Sequence, residues 1–194
     1  YAAGAVQPGD EDDYFQSSLF TIARRRILWL LILVLANGLT TKVIAMNDQI
    51  LKEIVLLAAF IPLLIGTGGN VGAQSSTVVI RGLSTQKLRS LGAIKAVFKE
   101  AITGALLGVF MMLVVFPFAW WQGEGPLIAS AVGISLISIT TLAATAGAIL
   151  PLLFDRMKLD PALMSSPFIT TVTDIAGVFI YLSTAKWLLS SSLA

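Results

Sequence analysis

Apolar residues gather into five long stretches, at positions 27–46, 54–80, 101–121, 127–154 and 162–189, with short polar segments between them. Each reaches the ~20 residues that a helix needs to cross a bilayer. No segment alternates apolar and polar residues with period two, so a transmembrane barrel is not supported. The pattern predicts an all-α integral membrane fold with five transmembrane helices.

The fifth stretch is apolar except for one carboxylate, Asp174. At ~1.5 Å per helical residue, Asp174 lies roughly 18 Å from Ala162 and roughly 22 Å from Leu189, near the middle of a ~30 Å hydrocarbon core. A carboxylate facing lipid there costs at least ~2.5–3.5 kcal/mol, so water, protein or a bound cation must surround it. Thr170, Asp174, Gly177 and Tyr181 fall at helical spacing on one face, with Thr171 and Thr173 beside it. The opposite face, with Ile169, Val172, Ile175, Phe179 and Leu182, is apolar. Two readings follow from these residues: a cation or proton site, or a neutral acid hydrogen-bonded to a neighbouring helix.

The second stretch loses its apolar side chains halfway. From Gly66 to Thr77 its one sizeable apolar residue is Val71. Gly66, Asn70 and Gln74 recur every four residues as a polar stripe, and Gly68 with Gly72 offers a small face for close helix contact. Pro62 removes a backbone hydrogen bond one turn earlier. A polar path and a tightly packed interface with a polar clasp both fit this pattern. A phosphate loop does not, because no Lys completes the G-x-x-x-x-G-K-[ST] spacing. The serines and threonines of the fourth stretch read as packing groups, and the third stretch reads as lipid-facing.

Residues 1 to 19 are polar and carry the run Asp10, Glu11, Asp12 and Asp13, which suits either a solvated helix start or a divalent cation at a domain junction. Tyr14, Phe15, Leu19 and Phe20 form a short amphipathic lead into Arg24, Arg25 and Arg26. The expected organisation is a cytoplasmic linker and lead-in over residues 1–23 and a membrane domain over 24–194. Beginning at Tyr1, the chain reads as a fragment or trimmed chain.

Composition adds exclusions. The chain is 56% hydrophobic and 12% charged, half the ~25% charge of soluble domains. It has no cysteine and no histidine, which excludes disulfides, thiol chemistry, zinc sites of the usual kind and Ser-His or Cys-His nucleophiles. Charge settles orientation. Arg24 to Arg26, then Arg81, Lys87, Arg89, Lys95 and Lys99, then Arg156 and Lys158 fall on one side of the five spans. Lys52 and Lys186 fall on the other. The positive-inside rule puts the N-terminus in the cytoplasm and the C-terminus outside the cell membrane. Trp120, Trp121 and Trp187 lie near the outer ends of their spans, where interfacial aromatics belong. Glu100 is expected to pair with Lys95 or Lys99, or to cap its helix.

The run from Pro62 to Gly82, Pro-Leu-Leu-Ile-Gly-Thr-Gly-Gly-Asn-Val-Gly-Ala-Gln-Ser-Ser-Thr-Val-Val-Ile-Arg-Gly, resembles the signature of the MgtE magnesium channel family. So does Asp160-Pro161-Ala162 followed by Pro167-Phe-Ile-Thr-Thr-Val-Thr-Asp-Ile-Ala-Gly177. The domain also recurs in solute carrier family 41. The resemblance covers the chain from about Asp13 onward and implies a homodimer whose second and fifth helices line one central pore. It puts the pore carboxylate on Asp174, a ligating backbone oxygen on Thr170, a polar pore residue on Asn70, and the cytoplasmic mouth on Ser166 and Pro167. Gln74, Thr173 and Gly177 complete the expected pore lining. Many relatives carry Asn where Ser166 stands, and Thr where Ala176 stands. Bacterial members carry cytoplasmic Mg2+-sensing domains ahead of the linker; these 194 residues do not include them, which predicts an ungated or poorly gated pore.

The chemistry of the residues agrees with that resemblance. Mg2+ demands near-octahedral oxygen geometry and keeps its waters, so few protein ligands suffice. Mn2+, Co2+ or Ni2+ also fit an oxygen site. The resulting expectation is a magnesium-selective channel pore, with an ion-coupled divalent cation carrier as the alternative; neither is an enzyme, and no nucleic-acid partner is expected. Two other classes remain open. An intramembrane aspartyl protease needs two acids in one site, yet Asp174 is the one acid of the eleven that lies within a span. A structural subunit would tolerate Asp174→Asn with ion flux unchanged.

Overall fold

The computed structural model describes residues 18–85, 92–121 and 125–193, which form helices and turns with no β-strand. In chain order the helices are α1 (Leu19–Ala45), α2 (Asp48–Glu53), α3 (Leu56–Ser84), α4 (Ala93–Ala119), α5 (Gly125–Arg156) and α6 (Pro161–Leu193). The acidic run at Asp10 to Asp13, the aromatics Tyr14 and Phe15, and Lys87 and Arg89 lie outside the described residues. Leu19 and Phe20 are the first residues of α1 itself, and that helix runs unbroken through Arg24 to Arg26.

Local chemistry sets the helix ends. α4 and α5 each begin at a glycine with positive φ, Gly92 at 83° and Gly125 at 81°, a conformation that side-chain-bearing residues avoid. The α5–α6 turn is built by two devices. At the end of α5, the Leu159 N–H donates to Phe154 O (2.9 Å) and the Lys158 N–H donates to Asp155 O (3.1 Å), with Lys158 at φ 58°. This is the paired bonding of a Schellman cap, which satisfies carbonyls that the helix leaves open. The Asp160 carboxylate then accepts from the Ala162 N–H at 2.8 Å, with Pro161 at the first helical position, where its missing N–H costs nothing. The Asp-Pro-Ala motif is thus a helix start.

Four helices are long and apolar enough to cross a membrane: α3, α4, α5 and the Ser165–Ser190 part of α6. The chain is therefore an all-α integral membrane protein. In α1 the stretch of described apolar residues, Leu33–Ala45, is shorter than a bilayer requires. Among the described residues the core centres on α5. Its apolar window is 61% buried against 17% for α4, because α5 touches α3, α4 and α6 while α4 packs mainly on α5. The outward side chains of α4, including Leu106, Phe110 and Leu113, are exposed. α1 lies against α6.

Glycines let α5 approach its neighbours at backbone distance. A Cβ on Gly104 would meet Thr140 O of α5 at 2.5 Å, and one on Gly147 would collide with Gly72 O of α3. Gly68 and Gly72, the small face of the second stretch, contact both α5 and α6 through Ile139, Ala143 and Ile169. The hydroxyls of Thr140, Thr141 and Thr145 donate back to carbonyls of α5 itself, so they pack without leaving donors open. Glu100 lies two turns inside α4, where it neither caps the helix nor pairs with Lys95 or Lys99. Among the described residues, an ion pair joins Lys52 and Asp48 across one turn of α2.

Candidate functional site along α3 and α6

Two exposed strips meet on one side of the molecule. On α3, burial falls on Gly68, Val71, Gly72, Ser75, Ser76 and Val79, which face α5 and α6. The reverse face carries Pro62, Gly66, Asn70, Ala73, Gln74 and Thr77, all exposed. Asn70 and Gln74 make no side-chain hydrogen bond among the described residues, and a Cβ on Gly66 would meet nothing within 4 Å. The polar stripe is thus not the clasp of an interface inside this chain; that part belongs to Gly68 and Gly72.

On α6, Thr170 and Asp174 are half-buried, and the Asp174 carboxylate has no hydrogen bond or ion pair among the described residues. Thr170 borders α3 directly, its methyl lying 3.9 Å from where a Cβ of Gly69 would stand. Asn70 is the next residue along, so the exposed strip of α3 runs beside the open side of α6. The Thr170 hydroxyl donates to Pro167 O at 2.9 Å. Its carbonyl accepts the Thr173 hydroxyl at 2.9 Å, in addition to the N–H that an α-helix assigns to it. With both lone pairs engaged, that oxygen reaches a cation only if Thr173 turns away.

The remaining expected residues divide. Ser166 is exposed at the start of α6. Pro167, Thr173 and Gly177 are buried inside the chain, so their side chains do not lie on the open strip with Thr170 and Asp174. Thr173 is fully buried and donates to Ile169 O at 2.9 Å. Gly177 faces Ile139 of α5. Tyr181, expected on the same open face as Asp174, is also fully buried, and its hydroxyl donates to Leu57 O of α3 at 3.1 Å. The opposite face divides too: Val172 and Phe179 are exposed, but Ile169 and Leu182 are core residues.

The cause is a helix crossing. α3 touches α6 at Ile169 and Thr173 in the first half of α6 and at Tyr181 in its second half. At ~100° per residue, those contacts sweep roughly 120° around α6. One strip of α6 is therefore open at Thr170 and Asp174 and covered at Tyr181.

Between the C-terminal part of α3 and the N-terminal part of α6, a cavity of about 550 Å³ opens. Ala73, Ser76, Thr77 and Arg81 of α3 face Ala162 and Ser166 of α6 across it. Sequence reasoning placed Arg81 among the cytoplasmic basic residues and passed over Ser76. The available signal was the spacing of Asn70, Gln74, Thr77 and Arg81, which continues one helix face. Among the described residues no group of three or more acids gathers to hold a metal, so within one chain Asp174 stands as a lone carboxylate.

A family profile described as MgtE, divalent cation transporter, matches residues 61–184, which span both strips and the cavity. The chain belongs to the MgtE family. It is 39% identical over 166 residues to a protein of Thermus thermophilus named magnesium transporter MgtE, an alignment covering 86% of this chain and 37% of that one. Proteins of the same name from Bacillus subtilis and Enterococcus faecalis are each 34% identical, over 90% and 84% of this chain. The chain spans under two fifths of the length of these MgtE relatives.

Proposed function

We propose that this chain is the pore domain of a magnesium channel, in which two protomers bring their Asp174 carboxylates to a common axis. The observation that carries the reading is Asp174 itself: a carboxylate at mid-span, half-exposed and without a partner among the described residues. Beside it runs a face of α3 whose Asn70 and Gln74 are equally unpartnered. A second copy placed against these strips gives two carboxylates, whose charge balances one divalent cation. Without an ion they repel each other, so a cation relieves a cost that the empty site carries.

Mg2+ suits the site because it keeps most of its waters and needs few direct ligands. Asn70 and Gln74 offer oxygens to those waters. In this arrangement α1 supplies the fifth span, the N-terminus is cytoplasmic and the C-terminus outside. Cytoplasmic sensing domains, in the part of the relatives that this chain does not cover, regulate the pore. An ion-coupled carrier is the second reading. An odd number of spans does not divide into the two equal inverted halves common in carriers, which favours the channel.

The deciding measurement is Mg2+ uptake into liposomes at set membrane potential, wild type beside Asp174→Asn. Flux that follows the potential and disappears in the variant is the expected result. Equal flux in both proteins overturns the assignment of Asp174. Competition by Mn2+, Co2+ and Ni2+ in the same liposomes measures selectivity.

A further inference from the structure

The cavity between the C-terminal part of α3 and the N-terminal part of α6 has a chemistry opposite to that of Asp174. Among the described residues its lining carries one charged side chain, Arg81, and no carboxylate. Arg81 forms no ion pair with any described residue. Ser76 is 4% exposed, lines the cavity and makes no hydrogen bond, so a nearly buried donor is left open toward the space. The Ser166 hydroxyl across the cavity is also without a hydrogen-bond partner among the described residues. By contrast, the hydroxyls of Thr77 and Ser84 are spent on Ala73 O and Arg81 O, each at 2.9 Å.

The free groups are thus a guanidinium, which can only donate, and two hydroxyls, which can donate as well as accept. The guanidinium repels a cation. An oxyanion matches this set, since a guanidinium binds phosphate oxygens through paired, charge-assisted bonds. At ~30 Å³ per water, the cavity exceeds the space that a bare anion fills, leaving room for an ester substituent. Lys95, Lys99, Arg156 and Lys158 stand at the same end of the helices and raise the local concentration of anions.

We propose that this cavity binds a phosphate-bearing anion, with Arg81 as the charged anchor and Ser76 and Ser166 as hydroxyl donors. The anion is either a lipid phosphodiester headgroup or a soluble phosphate. The inference goes beyond the transport reading, and its test involves no flux, so the two stand or fall separately.

Isothermal titration of the purified chain in neutral detergent uses three probes: inorganic phosphate, dioctanoylphosphatidylglycerol, and dioctanoylglycerol as the phosphate-free control. Saturable binding of at least one of the first two, weakened about tenfold or more by Arg81→Gln, is expected. Ser76→Ala weakens it by a smaller factor, and Arg81→Lys retains part of it. Binding of phosphate identifies a soluble source; binding of the phosphatidylglycerol alone identifies a headgroup. The proposal is overturned if neither probe saturates, if dioctanoylglycerol binds as well as the phospholipid, or if Arg81→Gln binds like wild type. Should Arg81→Gln fail to elute as a single species, unchanged affinity in both Ser76→Ala and Arg81→Lys overturns it instead.

Discussion

The Tyr181 hydroxyl donates to the carbonyl oxygen of Leu57 at 3.1 Å, joining α6 to the start of α3 across 124 residues of sequence. Both residues are fully buried, so no water competes for the bond. Tyr181→Phe removes the hydroxyl and keeps the ring. The Leu57 carbonyl retains its own helical partner, so the cost is that of one neutral hydrogen bond, about 0.5–1.5 kcal/mol. Unfolding of the two proteins in the same detergent measures it. Equal stability would show that the bond contributes nothing to holding the two helices together.

Thr173 and Asp174 are adjacent in sequence and differ in surroundings. Thr173→Val deletes a hydroxyl bonded only to Ile169 O and Thr170 O of its own helix. Mg2+ uptake is expected to stay within about twofold of wild type, since uncharged backbone-bonded hydroxyls contribute of order 1 kcal/mol. Asp174→Asn in the same assay is expected to abolish it. Loss of uptake in a folded Thr173→Val protein would place that hydroxyl on the conduction path despite its burial.

Substitution of glycines separates the packed face of α3 from its open face. Gly72→Ala puts a methyl against Ile169 and 3.2 Å from Ala143 O, and is expected to destabilise by about 1–3 kcal/mol through overpacking. Gly66→Ala meets nothing within 4 Å and gains helix propensity, so a small stabilisation of up to ~1 kcal/mol is expected in the isolated protomer. Thermal melts of both variants check the contrast; similar losses in the two would mean that the open face is packed in the protein as purified.

The α5–α6 turn offers an opposed pair. Asp160→Ala removes the acceptor for the Ala162 N–H and is expected to cost about 0.5–2 kcal/mol. Lys158→Gly relieves a side chain at φ 58° and is expected to stabilise by about 1 kcal/mol. Chemical denaturation of each variant tests the signs, and the same sign in both would contradict the capping geometry.

Much of this protein was legible without coordinates because the bilayer simplifies the code. Lipid offers no hydrogen bonds, so long apolar runs must be helices, and a carboxylate such as Asp174 or a stripe such as Gly66, Asn70 and Gln74 stands out at once. The Pro62–Gly82 and Asp160–Gly177 motifs then pointed to the MgtE family, to which the matched residues 61–184 assign the chain. Periodicity also separated the small face of α3 from its polar face correctly, because both lie on one helix and depend on spacing alone.

Where the sequence reading departed from the structure, the missing information was which helix lies beside which, and at what angle. Spacing put Thr170, Asp174, Gly177 and Tyr181 on one face, and as helix geometry that is sound. It could not show that α3 crosses α6 obliquely, or that Ile139 of α5 fills the space beside Gly177. Those contacts are between residues far apart in the chain, and they leave Asp174 open while burying Tyr181. The cavity at Arg81 is likewise lined by residues far apart in the chain. The sequence by itself determined what must be helix, what must avoid lipid and where a charge sits along the membrane normal. The tertiary structure alone decided which polar groups are covered, because coverage depends on neighbours and crossing angles that local periodicity does not encode.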